Sequence, residues 1–472
     1  MSRPPEPQPW VHPRNPVFGQ DVRSDVAGQA PVERPRARYP LYVSADRRRL
    51  LDADGRPFLV QGDAAWSLIA NLTEDEAIDY LDDRRSRGFN ALIVSLVEHL
   101  FSADPPRDRA GNPPFLEPPD MSTVNDAYFD HAERVLEACE TRGIAVILAP
   151  AYLGYRQTAA VGASPHAEGW YEEVVGTGPD GCRRYGTYLG RRFGRFANVI
   201  WCLGGDWQPD AARAGLDALA AGLREAGAQG LFTAHVRPET SPVDAFAGSD
   251  WLDLNLTYTY GIVHRALRAD WEREPRWAYL LVESTYEGEH NASELQIRRQ
   301  AWWSVLCGGN GHCMGNNPIW LFWDGWREAL DLPASRAMTI WGDVFRALPW
   351  WELEPDLDER LVIDGAGEAR GLDRATAALT PDGHLAVTYI PSRRPITLDL
   401  DVLSGAEVRV AWVDPASGRR RDGGILRRQG QATLVAPFPD DAALVLETVR
   451  RSRSGSRASP SRRAGAAAAR RP

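Results

Sequence analysis

The sequence predicts an α/β protein, a (β/α)₈ TIM barrel followed by a small all-β sandwich, and two observations carry that prediction. Between Tyr39 and about Trp350, short apolar runs alternate with segments of helical period, the pattern of repeated βα units. From Glu352 to Val449 the hydrophobic period changes to two, with turn signals between the runs. A doubly wound open sheet is the rival for the first region, but no Gly-rich phosphate loop follows its first strand.

Taken in order, residues 1–38 form a Pro- and Arg-rich arm with too little apolar surface to offset the entropy of ordering. The barrel is assigned to 39–350. Its strands are predicted at Pro57–Trp66, Asn90–His99, Ile144–Tyr152, Val199–Trp207, Leu231–Val236, Trp251–Tyr260, Ala278–Tyr286 and Gly311–Trp323, most of them apolar almost throughout, as parallel strands buried on both faces should be. The first is entered from a hairpin whose turn is Asp52-Ala53-Asp54-Gly55. Thr73 with Glu76 makes a capping box for a helix stopping near Gly88, and Ser293 with Gln296 makes another for a helix to Leu306. Tyr128, Ala132, Val135, Leu136 and Cys139 recur at 3.6-residue spacing, as do Leu216, Leu219 and Leu223, giving each helix one apolar stripe. The sandwich, 351–449, is read from Arg360–Asp364, Leu385–Ile390, Ile396–Leu400, Val408–Val413, Ala432–Pro437 and Ala443–Glu447. A tail from 450 to 472 carries eight arginines and no acid and is predicted to be disordered.

Composition excludes several function classes. The 472 residues are 43% hydrophobic and 25% charged, with no apolar run long enough to span a bilayer, so no membrane partner is expected. A net charge of −10 argues against a nucleic-acid partner, whose binding would draw on clustered basic residues. Five cysteines without C-x-x-C spacing indicate neither a disulfide framework nor a zinc site. No cofactor or metal motif is present, and no signal-peptide core is visible, so the expected location is cytoplasmic. Oligomeric state is not legible.

The active site of a barrel lies at the carboxyl ends of its strands. Those ends bring Asp63 and Trp66, Glu98 and His99, Tyr152 and Tyr155, Asp206 and Trp207, His235 and Arg237, Tyr258 and Tyr260, Glu283 and Tyr286, then Asn316, Asn317, Trp320 and Trp323. Aromatic platforms among carboxylates suit a sugar, whose ring faces are apolar and whose edge carries hydroxyls. Val199–Leu203 is an apolar run ending in Gly204-Gly205-Asp206, which delivers an acid to a strand tip where glycine permits close approach. Helix capping is the competing use of Asp206, with Asp210 as the rival cap. Leu280-Leu281-Val282-Glu283 repeats the design; Glu287 and Glu289 just beyond are second choices. Two such carboxylates can divide glycoside cleavage, one donating a proton and the other attacking the anomeric carbon or activating water. Asp206 and Glu283 are therefore the candidate catalytic pair. Candidate sugar contacts are Asp63, Trp66, His99, Tyr152, Trp207, His235, Tyr258, Tyr286, Glu287, Asn316 and Trp320. The expected partner is an oligosaccharide or other glycan substrate. Two other uses of the barrel stay open: a carbohydrate-binding protein without catalysis, and a metal-dependent sugar isomerase or lyase using His99, His235 and Asp63.

Gly62-Asp63-Ala64-Ala65-Trp66 after the D-G hairpin, Arg87-Gly88-Phe89-Asn90 after the capped helix, Gly204-Gly205-Asp206, and Glu283-Ser284-Thr285-Tyr286-Glu287-Gly288 together resemble the apiosidase-like glycoside hydrolases. The resemblance covers 40 to about 449 and includes a following β-sandwich that carries a collagen-binding label. It implies a retaining glycosidase with an Asp acid/base on the fourth strand and a Glu nucleophile on the seventh, roles that fall on Asp206 and Glu283. It also implies branched glycans, such as plant pectin side chains, as substrates. Nothing in the sequence of the β module points to collagen, and it reads as a sandwich packed on the barrel for stability.

Overall fold

The computed structural model describes residues 36–154 and 169–449. The predicted arm up to residue 35, the tail from 450, and Tyr155 lie outside the described residues.

Eight parallel strands build the first region: β1 Val60–Ala64, β2 Ala91–Ser95, β3 Ala145–Ala149, β4 Val199–Gly204, β5 Phe232–His235, β6 Asn255–Tyr258, β7 Tyr279–Glu283 and β8 Gly311–Met314. The ladder runs β5-β4-β3-β2-β1-β8-β7-β6. The seam between β5 and β6 is drawn together by single contacts: the Asp253 N–H donates to the Phe232 carbonyl (2.9 Å), and the Thr233 hydroxyl to the Leu254 carbonyl (2.7 Å). Helices α1 Glu74–Ser86, α2 Asp126–Arg142, α3 Tyr171–Phe193, α4 Arg213–Glu225, α5 Pro242–Ala245, α6 Val263–Trp271, α7 Glu294–Leu306 and α8 Pro333–Arg346 follow the strands in turn. None of the described helices is long and apolar enough to cross a membrane.

Local chemistry sets these elements. Thr73 accepts the Glu76 N–H while Glu76 accepts the Thr73 N–H, closing the expected box at the start of α1. Ser293 makes only the forward bond, from the Gln296 N–H at 3.4 Å. The stripe Tyr128, Phe129, Ala132, Val135, Leu136 and Cys139 of α2 is buried against the sheet. Strand residues alternate: Ala91 and Ile93 of β2 face the barrel interior, whereas Leu92 and Val94 pack under the helices. The eighth strand is far shorter than Gly311–Trp323. Beyond Met314 the chain turns away, with a short 3₁₀ turn at Ile319–Leu321 and Phe322 at φ +53°.

The second region pairs antiparallel throughout. One sheet has the order β9 Glu354–Pro355, β11 Thr376–Leu379, β12 Leu385–Ile390, β17 Ala442–Thr448, β14 Glu407–Val413, β15 Arg420–Arg427; the other is β10 Val362–Asp364, β13 Pro395–Asp399, β16 Gln431–Val435. Three strands escape the period-two reading, the first being β9, only two residues long. β11 (Thr-Ala-Ala-Leu) is short and buried on both faces, and β15 is an exposed edge strand rich in Arg and Gly. The larger sheet packs on α7 and α8 through Trp302, Trp303, Phe345, Val387, Tyr389 and Val445, with the Trp302 and Tyr389 rings stacked at 5.5 Å and 5°. Arg298 of α7 and Asp441 form a buried two-toothed ion pair at 2.9 and 3.0 Å, and the Tyr389 hydroxyl donates to the same carboxylate at 2.8 Å.

Candidate active site

The tips of the strands enclose a cleft of about 750 Å³. Trp66, Tyr152, Trp207, Tyr258, Tyr286 and Trp320 line it, as do Asp206 and Glu283. The aromatic side is continuous: Trp66 lies 5.2 Å from Tyr152 by ring centres, its indole N–H donates to the Tyr286 hydroxyl at 3.1 Å, and Tyr286 lies 6.3 Å from Trp320.

Asp206 reaches the cleft because β4 ends in two glycines. Gly204 has φ +90°, and a Cβ there would sit 2.2 Å from the His235 carbonyl oxygen; one on Gly205 would sit 2.5 Å from the Leu153 nitrogen. The turn thus lies against β5 on one side and the loop after β3 on the other, a fit open only to glycine. Asp206 does not cap α4, and neither does Asp210, which makes no side-chain cap bond. Its Oδ2 accepts the Tyr258 hydroxyl at 2.7 Å.

Glu283 arrives by a different device. Leu280 and Val282 face the interior and Leu281 the helices, so strict alternation would send Glu283 outward. The register slips there, Thr257 pairing with Leu281 but Tyr258 with Glu283, and this bulge turns the carboxylate into the cleft. Its Oε1 lies 3.5 Å from the Tyr260 hydroxyl. Burial, joined by the charge of Asp206, pushes the Glu283 pKa up, against the hydrogen bond from His235.

Between the two acids sits His235, with 1% of its side chain exposed: Nδ1 is 3.0 Å from Asp206 Oδ1, and Nε2 is 3.1 Å from Glu283 Oε2. The first contact is an ion pair out of line for a hydrogen bond; the second is aligned. Burial of the ring works against its charge, but the paired carboxylates outweigh it and hold the pKa up to about 9. One ligand atom from each of Asp206, His235 and Glu283 lies within 4.8 Å of the others, the one group among the described residues compact enough to hold a metal ion. A metal would require a neutral imidazole with a nitrogen lone pair turned to it, whereas both ring nitrogens here face carboxylates.

Five predicted sugar contacts are placed elsewhere. Asp63 faces outward from β1, where the Tyr80 hydroxyl donates to it at 2.8 Å and Arg84 lies at 3.4 Å; the strand's parity, invisible to a count of strand ends, decides this. The Asn316 amide donates to Glu287 at 2.7 Å, and Glu287 also accepts the Ala334 N–H at 3.0 Å, so both fasten loops together. His99 packs edge-on against Trp170 and lies 3.4 Å from Glu173, outside the cleft. His235 lies behind the acids rather than on the cleft surface. Several lining residues lay outside that set of contacts. Glu98, a buried carboxylate raised by desolvation, accepts the Ser67 hydroxyl and the His99 N–H. Glu289 accepts the Trp320 indole N–H at 2.7 Å, and Tyr260, Gln208, Phe101 and His290 also line the wall, as do Ser95, Asp210, Arg237 and Pro238. Tyr260 and Glu98 stand among the strand-tip residues read from the sequence and Glu289 among its second-choice acids, though none was carried into the sugar contacts; Phe101, Gln208 and His290 lie in loops with no periodic signal.

Residues 44–352 match the family model described as the apiosidase-like catalytic domain. The chain belongs to the apiosidase-like family. Membership makes this apiosidase-like chain a glycosidase with a carbohydrate substrate. Residues 358–447 match a second model, named for a collagen-binding domain of a collagenase. Among solved structures, a glycoside hydrolase family 5 protein from Bacteroides vulgatus superposes with a TM-score of 0.75 at 23% identity, covering 86% of this chain and 93% of that one. A structure described only as a glycoside hydrolase matches with a TM-score of 0.75 at 23% identity, over 86% of this chain and 96% of its own. These two likenesses establish the fold of barrel and β module together. No curated protein sequence matches the apiosidase-like chain.

Proposed function

We propose that this glycosidase works by a retaining two-carboxylate mechanism on a branched glycan, with Glu283 as nucleophile and Asp206 as acid/base. The observation that carries the reading is the closeness of the pair: a carboxylate oxygen of Asp206 and one of Glu283 lie within 4.8 Å. Retaining enzymes hold their carboxyl groups about 5–5.5 Å apart, and inverting ones about 6.5–9.5 Å to admit a water. In the first step Glu283 bonds to the anomeric carbon as the glycosidic C–O bond breaks, and Asp206 gives its proton to the leaving oxygen. In the second, Asp206 takes a proton from water, which displaces the sugar from Glu283. The aromatic wall from Tyr152 through Trp66 and Tyr286 to Trp320 offers apolar faces to sugar rings, and Glu98, Glu289 and Gln208 offer acceptors to hydroxyls. The branched-glycan class is supported by family membership.

The raised pKa of Glu283 favours a second reading with the roles exchanged, Glu283 supplying the proton and Asp206 attacking. One experiment separates them. The protein is screened on 4-nitrophenyl glycosides and pectic oligosaccharides, then trapped with the 2-deoxy-2-fluoro analogue of the sugar it releases, and the labelled peptide is mapped. The ester is expected on Glu283, and Glu283→Gln should remove nearly all turnover with the fold retained. An ester on Asp206 would exchange the roles. No ester together with an inverted product anomer would overturn the retaining mechanism.

A further inference from the structure

We propose that His235 is a positioning residue for the catalytic pair, a buried imidazolium fixed between Asp206 and Glu283 that serves as counter-ion to whichever of the two is charged. This rests on the assignment of those two acids as the catalytic pair.

The geometry argues for the cation. A neutral imidazole has one donor and one acceptor nitrogen, so between two carboxylates one nitrogen would present its lone pair to an oxygen lone pair. A protonated ring has no lone pair to oppose either acid: its Nε2–H points at Glu283 Oε2 at 3.1 Å, and its positive charge faces Asp206 Oδ1, out of line for a hydrogen bond but 3.0 Å from Nδ1. The ring cannot turn away: Trp66, Tyr258 and Tyr152 surround it at 5.4, 4.9 and 6.3 Å. The titratable groups facing it are Asp206 after β4, Glu283 on β7, Tyr258 and Tyr260 at the end of β6, Tyr152 after β3, and Cys202 on β4. Burial pushes the phenols and the thiol upward, so they stay neutral over the working range. The two acids alone remain to answer the ring, and their pull is what raises its pKa to about 9.

The reaction gives this cation its use. Before glycosylation the trio holds a protonated Asp206, the imidazolium and an ionised Glu283. Glu283 then spends its charge in forming the ester, while Asp206 loses its proton to the leaving oxygen and becomes the anion. One negative charge has moved from one face of the ring to the other, and the imidazolium keeps its proton throughout. A counter-ion placed symmetrically needs no reorganisation as charge crosses, which is the form of electrostatic assistance that costs nothing at the moment of reaction. It also opposes the burial that would otherwise neutralise Glu283.

The test is His235→Gln, which keeps a donor but removes the charge. An opposite charge at this range lowers a carboxyl pKa by about 1–3 units, so its loss should move the acid limb of the kcat/KM profile on the best 4-nitrophenyl glycoside, which follows the ionisation of Glu283, upward by about 1–3 pH units. kcat should fall at least tenfold with KM nearly unchanged, because the ring does not line the cleft. A fall in rate with an unmoved profile would mean a purely structural residue and overturn the proposal. A second measurement does not need turnover: ¹⁵N shifts of His235 in the wild-type chain at pH 7.5 should show both ring nitrogens protonated, and in Glu283→Gln the ring should titrate at least one unit lower. A neutral ring at pH 7.5 would overturn the proposal even if the variant fails to fold. Absence of glycosidase activity would sink the functional reading while leaving the NMR outcome to decide this one.

Discussion

Asp441→Ala should destabilise the whole chain far more than the loss of a surface ion pair would. The side chains of Arg298 and Asp441 are 4% and 1% exposed, so the guanidinium on α7 and the carboxylate at the start of β17 have both left water. Removing the carboxylate strands the guanidinium: its remaining acid, Glu294, lies 3.6 Å away and is half exposed, so solvent screens it. Breaking a buried pair in this way costs about 3–5 kcal/mol, and the Tyr389 hydroxyl, deprived of its acceptor, adds about 1 kcal/mol. Replacing the pair is another matter. Arg298→Met with Asp441→Leu leaves no uncompensated charge and should cost only about 1–2 kcal/mol, mostly from Tyr389. Equilibrium urea unfolding followed by tryptophan fluorescence measures both, since Trp302 and Trp303 lie in the same interface. Asp441→Ala within about 1 kcal/mol of wild type, or a double variant as unstable as the single one, would refute the argument that an unpaired buried charge governs this interface. The result bears on the site, because α7 also carries Gln300, whose amide donates at 3.2 Å to the hydroxyl of Ser284, the neighbour of Glu283.

Gly204→Ala should lose activity and about 1–3 kcal/mol of stability, since the residue is held at φ +90° and its new Cβ would press on the His235 carbonyl; wild-type kinetics and an unchanged urea midpoint would count against the close-approach account of the glycine pair. Stability should also fall as the solution becomes alkaline. The folded chain holds the His235 proton up to about 9 against an ordinary 6.5, so this contribution is complete below about 6.5 and is lost as pH rises through 9. Glu283 and Glu98, raised by burial, favour the folded state in the same sense at lower pH, contributing in acid and losing that contribution as pH rises through their folded pKa. The His235 share is on the order of 3 kcal/mol at most. Urea midpoints at pH 6.5 and 9.5 check the sign, and a chain that gained stability between them would show that the imidazolium is not the dominant titrating group there.

The barrel was legible because its signals are periodic and local. Apolar runs such as Ala145–Ala149 admit few other folds, and the Thr73 box and the Gly204-Gly205 turn are written in residue types that only one geometry satisfies. That Asp206 and Glu283 would reach the strand tips was legible for a related reason, since an acid ending an apolar run is costly to bury inside the sheet. What could not be read was direction. Asp63 and Glu283 both stand near the carboxyl end of a barrel strand, yet one turns out to Arg84 and the other in to the cleft, and a single-residue bulge at Val282 makes the difference. The pairing of Glu287 with Asn316 likewise depends on the loops after β7 and β8 meeting, a distance of some thirty residues along the chain that no local pattern encodes. His235 joins these cases. Its sequence position marks it as a strand-tip polar group, equally suited to a sugar hydroxyl, and only the closure of the ring of strands places it between β4 and β7. The charge balance proposed between the two acids therefore turns on a residue whose place between them appears only once the barrel has closed.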